Sequence, residues 1–153
     1  MTDIEKIRAW IKDFVSESTG DGIPLNFQVD FTNEIPQNAG LFPTGTMEVR
    51  RSEDVLGNIT VTNQYNFSLY AVFVKPNDVD EISTKNAVWA MDFQRWVQEQ
   101  SIKKLAPTFG NIDTHEETIR AQNGMFYGSK EDGAAGIYMI TITATFKNYY
   151  EVN

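Results

Sequence analysis

Across residues 57–75 apolar and polar residues alternate along the chain. Ile59, Val61, Tyr65, Phe67, Leu69, Ala71 and Phe73 hold the odd positions, interrupted by Asn63, while the even positions begin with Thr60, Thr62, Gln64, Asn66 and Ser68. Successive side chains on a strand point to opposite faces, so this pattern predicts one long strand with a single apolar face. At roughly 3.3 Å per residue, positions 59–73 reach about 50 Å. A compact chain of this length measures about 40 Å across. The strand must therefore bend, bulge or project as a hairpin arm, and a projecting arm favours contact with another subunit over chemistry.

The other elements follow from the same patterning. Ile4, Ile7, Ile11 and Phe14, flanked by Trp10 and Val15, predict a helix over residues 3–17. Thr2 and Glu5 have capping-box spacing at its start. Residues 16–22 then end it with Ser, Thr, Asp and Gly. Leu25, Phe27, Val29 and Phe31 predict a first strand. Residues 33–44, with Pro36, Gly40 and Pro43, read as a loop pinned down by Leu41 and Phe42. Residues 45–51 read as a second strand, with Met47 and Val49 on one face, and residues 52–58 as the turn that makes a hairpin with the long strand.

Pro76, Asn77 and Asp78 stop that strand. A second helix is predicted over residues 84–104. Trp89, Phe93, Trp96 and Gln100 share a face, Ala87, Val88, Met91 and Val97 widen it, and Lys103 and Lys104 lie in its last turn. Residues 106–113 read as a loop. Residues 119–127 and 136–146 read as a second hairpin turning at residues 129–133. Two helices against a mostly antiparallel sheet with a long β-hairpin make the expected fold α+β, in one domain over residues 1–153.

Composition narrows the classes. The 153 residues are 41% hydrophobic and 22% charged, ordinary for a globular domain. The absence of cysteine excludes disulfides and thiolate metal sites. The start Met1-Thr2-Asp3-Ile4-Glu5 is acidic where a secretory signal is basic, and the longest apolar run, residues 69–74, is too short to span a membrane, so no membrane partner is expected. A net charge of −8 argues against gripping DNA through its phosphates.

Candidate chemistry is sparse. The one histidine, His115, lies with Asp113 and Glu116 in an acidic segment that offers metal ligands. Zinc-hydrolase spacing, however, wants a second histidine where Ile119 stands. Ser101 and Lys104 match S-x-x-K without its companion motifs. Gly40 and Gly45 frame no P-loop, and no G-x-S-x-G elbow or G-x-G-x-x-G turn is present. Glu53-Asp54 and Asp80-Glu81 adjoin a turn and a helix start, where carboxylates have structural reasons to be. Arg50-Arg51 beside Glu53-Asp54 suits a salt bridge within or between subunits. Trp10, Trp89 and Trp96 lie at core spacing rather than as a stacking platform. No catalytic, cofactor-binding or metal residue is assigned, and no cofactor is expected.

Several strings are familiar. Arg51-Ser52-Glu53-Asp54-Val55-Leu56-Gly57-Asn58 leads into Thr60-Val61-Thr62-Asn63-Gln64-Tyr65-Asn66-Phe67. Later come Trp89-Ala90-Met91-Asp92-Phe93-Gln94-Arg95-Trp96-Val97-Gln98-Glu99-Gln100 and Ala121-Gln122-Asn123-Gly124. Together they resemble the minor capsid proteins of tailed phages and prophages of Gram-positive bacteria, which look like tail terminators. That resemblance implies a non-enzymatic virion protein of the neck, made in the bacterial cytoplasm. It would close with copies of itself into a ring, usually of six, that caps the tail tube protein and meets head-completion or neck proteins. DNA would pass through the lumen unbound, and an acidic lumen would let it slide. The expected interface residues are Leu41 and Phe42 in the loop, with Arg50, Arg51, Glu53, Asp54, Leu56 and Asn58 around the hairpin tip. Alternatives are another neck or tube protein, a small metal-dependent enzyme using residues 113–117, and a ligand-binding module on a sheet face.

Overall fold

A computed structural model describes residues 2–17, 26–29, 38–74, 80–129 and 135–152. The elements are α1 (Asp3–Glu17), β1 (Asn26–Val29), β2 (Asn38–Glu53), β3 (Ile59–Val74), α2 (Asp80–Ile102), a 3-10 turn (Thr114–Glu116), β4 (Thr118–Ser129) and β5 (Ala135–Tyr150). The strands form one sheet in the order β1-β2-β3-β5-β4, with β1 parallel to β2 and every other pair antiparallel. The α+β class and the long hairpin are as the sequence pattern predicts. Of the stop predicted over residues 16–22, Ser16 and Glu17 belong to α1; the rest of it, Leu25 and Phe31 of the predicted first strand, loop residues 33–37, the stop at 76–78 and the centre of the second hairpin turn lie outside the described residues.

α1 starts where its capping box places it. The Thr2 N–H donates to Glu5 Oε2 at 2.9 Å and the Glu5 N–H to Thr2 Oγ1 at 3.3 Å, satisfying two free donors reciprocally. The backbone hydrogen bond from Thr2 holds the Glu5 carboxyl below the usual range. The apolar stripe of α1 lies against α2. Phe14 meets the rings of Trp89, Phe93 and Trp96 at centroid distances of 5.5, 5.2 and 5.3 Å. Trp10 stacks on Trp96 at 4.7 Å while its indole N–H donates to Gln100 Oε1 at 3.0 Å.

Both helices share the core with one face of the sheet. That face carries Phe67, Leu69 and Ala71 of β3, Ile140, Ile142, Ala144 and Phe146 of β5, and Ile119 of β4. The cross-strand pairs Leu69↔Ile140 and Phe67↔Ile142 stack along it. Phe93 is wholly buried at the centre, so its truncation to alanine costs about 3–5 kcal/mol. The opposite face presents Thr60, Thr62, Gln64, Asn66 and Ser68 against Tyr149, Lys147, Thr145, Thr143 and Thr141. It is a layer of hydroxyls and amides, with Asn66 Oδ1 accepting from Gln64 Nε2 at 2.9 Å and from Thr143 Oγ1 at 3.4 Å.

The length of β3 is accommodated by projection. β3 pairs with β5 from Ile59↔Tyr150 to Val74↔Ala135 without a register shift. Both helices stop level with Tyr65. α1 begins there, with the Tyr65 hydroxyl donating to Asp3 Oδ2 at 2.6 Å. α2 ends there, with the Ile119 N–H donating to Ser101 Oγ at 3.1 Å and Ile119 pairing with Ala144, which pairs with Tyr65. From Tyr65 to Ile59 the strand runs about 20 Å past the helix ends, and residues 110–112 of the loop after α2 lie along β5 there, with Val61 buried. The projection is three strands wide, because β2 and β5 accompany it.

Three expectations need correction. Residues 38–44, read as loop, belong to β2. Pro43 is tolerated because β1 pairs only with Asn38–Leu41, so the outer edge of β2 past that point meets no strand among the described residues, and because a bulge falls between Pro43 and Gly45. Gly45 there has φ 125°, a conformation that favours glycine. On α2, Val88 and Met91 face solvent instead of widening the buried face, since the core needs only the stripe through Trp89, Phe93 and Val97. Lys103 and Lys104 lie past the helix end. The Leu105 N–H donates to the Gln100 carbonyl at 2.9 Å and the Lys104 N–H to that of Ser101 at 3.3 Å, closing the helix with Lys104 at φ 59°.

Candidate assembly surface

The tip of the β2–β3 arm is built by one carboxylate. Asp54 Oδ1 accepts the N–H groups of Leu56 at 2.8 Å and Asn58 at 3.0 Å. The Gly57 N–H donates to the Asp54 carbonyl at 3.1 Å and the Asp54 N–H to that of Asn58 at 3.0 Å. Gly57 takes φ 85°, the left-handed step that lets the chain re-enter the ladder. Asn58 ties the tip to the chain end, its Oδ1 accepting from the Val152 N–H at 3.2 Å. This scaffold holds Val55 fully exposed and Leu56 70% exposed.

The other predicted interface residues separate. Arg51 and Glu48 form a two-pronged ion pair at 2.6 and 3.0 Å. The hydrogen bond lowers the Glu48 pKa and raises that of Arg51. Arg50 and Glu53 are exposed on β2. Leu41 is wholly buried in the protein's own core and offers nothing to a partner. Phe42 points to the other face, edge-on to Tyr70 at 5.2 Å. Met47 and Val49, expected on one strand face, are both half exposed: Met47 pairs opposite Gln64 of the polar face, and a second bulge between Glu48 and Arg50 leaves Val49 out of the ladder.

At the far side of the sheet a groove of about 550 Å³ runs between α2 and β4. Arg95, Gln98 and Ile102 line it from the helix, and Thr118, Arg120 and Gln122 from the strand. Its lining includes both arginines and no carboxylate. Sequence reading missed this groove. Neither wall is unusual alone, and only the packing of α2 beside the last strand of the sheet brings them together.

No family model and no curated protein matches the chain. No helix among the described residues is long and apolar enough to cross a membrane.

The segment singled out for metal chemistry is used structurally. Glu117 accepts the Phe109 N–H at 2.7 Å and the Gly110 N–H at 3.1 Å, closing the loop after α2. Burial raises its pKa and outweighs these bonds, which lower it. Glu116 pairs with Lys147 at 3.5 Å, and Asp113 takes φ 51° to start the 3-10 turn. His115 is exposed on that turn. Among the described residues no group of three His, Asp or Glu side chains converges.

Proposed function

We propose that this chain is a structural protein that assembles with copies of itself, as the ring-forming tail terminator at the head–tail joint of a tailed bacteriophage. The observation that carries the reading is the arm. It extends past both helices, exposes Met47, Val49, Val55 and Leu56, and leaves the outer edge of β2 open beyond Leu41 among the described residues. Exposed apolar side chains beside an open strand edge favour pairing with another chain, and soluble proteins usually blunt such edges. Here the edge has two bulges and a proline, which limit indiscriminate strand addition and leave the tip as the sticky element. The ring, its place on the tail tube and the passage of DNA come from the sequence resemblance. The net charge of −8 suits a lumen through which DNA slides.

Electron microscopy of the purified protein tests this reading. Isolated single rings with a central hole are expected. Long tubes would assign the chain to the tail tube instead, and unassembled particles at every concentration would overturn the reading.

A further inference from the structure

We propose that the hairpin tip of one copy seats in the α2–β4 groove of the next, with Val55 against Ile102 and Glu53 facing Arg95 and Arg120. The inference rests on the self-assembly reading and names the interface that it needs.

Charge and shape select the pair. Residues 53–58 carry two carboxylates, Glu53 and Asp54, and no cation. Arg51, the nearest cation, is paired with Glu48. The groove offers Arg95 and Arg120, neither in an ion pair among the described residues, and Ile102 at 71% exposure as an apolar seat. A smaller apolar cleft of about 200 Å³ lies at the start of α1, lined by Ile4, Pro43 and Phe67. Asp3 also lines it, and a carboxylate there repels an acidic tip.

Reach makes the contact intermolecular. β2 and β4 are separated by β3 and β5. The groove lies level with Thr143, opposite Asn66, whereas the tip lies beyond Ile59. The separation along the strands alone is about 23 Å, so no chain can fill its own groove. Tip and groove are different surfaces, so the contact is head-to-tail, and repetition gives a closed ring when the rotation closes.

The absence of cysteine supplies a clean test. In the variant carrying Val55→Cys and Ile102→Cys, mild oxidation should produce a covalent ladder of oligomers. A disulfide requires α-carbons roughly 4.4–6.8 Å apart, so it reports seating directly. Neither single variant should give a ladder. Independently, Glu53→Arg or Arg120→Glu should raise the dissociation constant of assembly at least tenfold, and the two together should recover much of it, with circular dichroism confirming the fold. Assembly of the unmodified protein without a ladder, and indifferent to either charge reversal, would overturn this interface and leave self-assembly standing. An unmodified protein that stays monomeric would overturn both.

Discussion

Gly110 lies against the backbone of Lys147, so closely that a β-carbon on Gly110 would run into the Lys147 carbonyl oxygen. That same carbonyl accepts the Asn111 N–H at 3.1 Å. Asn111 also grips Tyr149, accepting its N–H at 2.6 Å and donating from Nδ2 to its carbonyl at 3.1 Å. The loop after α2 is thereby stitched to the end of β5 that forms one strand of the arm. Gly110→Ala must push the loop away from β5, and we expect a loss of about 1–3 kcal/mol in denaturant unfolding. An unchanged midpoint would mean that the loop does not brace the arm.

Lys104 makes the opposite prediction. It closes α2 at φ 59°, where a β-carbon is strained by about 1 kcal/mol and glycine is not. Lys104→Gly should raise the unfolding free energy by a few tenths of a kcal/mol, the relieved strain exceeding both the extra freedom glycine gives the unfolded chain and the small contribution of the exposed bond from Lys104 Nζ to the Glu117 carbonyl at 3.4 Å. A lower melting temperature would contradict this assignment of the helix end.

Glu117→Ala removes the acceptor of two backbone donors, those of Phe109 and Gly110. Phe109 is buried, so its N–H has little access to water. We expect a destabilisation of roughly 1–3 kcal/mol at neutral pH. His115→Ala, two residues away on an exposed turn, should leave unfolding unchanged. Comparing the two by thermal melts separates a structural carboxylate from a metal site, in which both would matter.

Tyr65 gives the fold an alkaline limit. Burial first, and then the hydrogen bond to Asp3 and its negative charge, push the phenol up to about 12 from an ordinary value of 10.0. Folding therefore favours the neutral phenol. The contribution is fully present below pH 10 and is lost as pH rises through 10 towards 12, because the unfolded chain ionises first. In Tyr65→Phe this part of the dependence disappears. The stability gap between the two proteins should narrow across that window in denaturant titrations, and a constant gap would refute the assignment.

Much of this architecture was legible from local pattern, and the exceptions share a cause. α1 could be read to the residue because Thr2, Glu5 and the stripe from Ile4 to Phe14 all act within a few turns. β3 can be read because its alternation is long and its even face is polar as far as Ser68. Residues 38–44 could not, since proline and glycine signal a loop unless a bulge and an open strand edge accommodate them, and both belong to the sheet. The exposure of Val88 and Met91 depends on how wide a stripe the sheet and α1 cover. The turn expected over residues 52–58 contains the observed tip, whose Asp54 and Gly57 shape it between β2 and β3. Leu41 is buried because its segment is a strand of the sheet rather than a loop, and the groove is not legible in the sequence because its two walls lie on different elements.

The proposed function requires surfaces that mate with further copies of this polypeptide, and its mass in solution tests that most directly. Native mass spectrometry across a concentration series should find a closed species, expected at about six times the 17.4 kDa of one chain. A species of 17.4 kDa at every concentration would contradict the account.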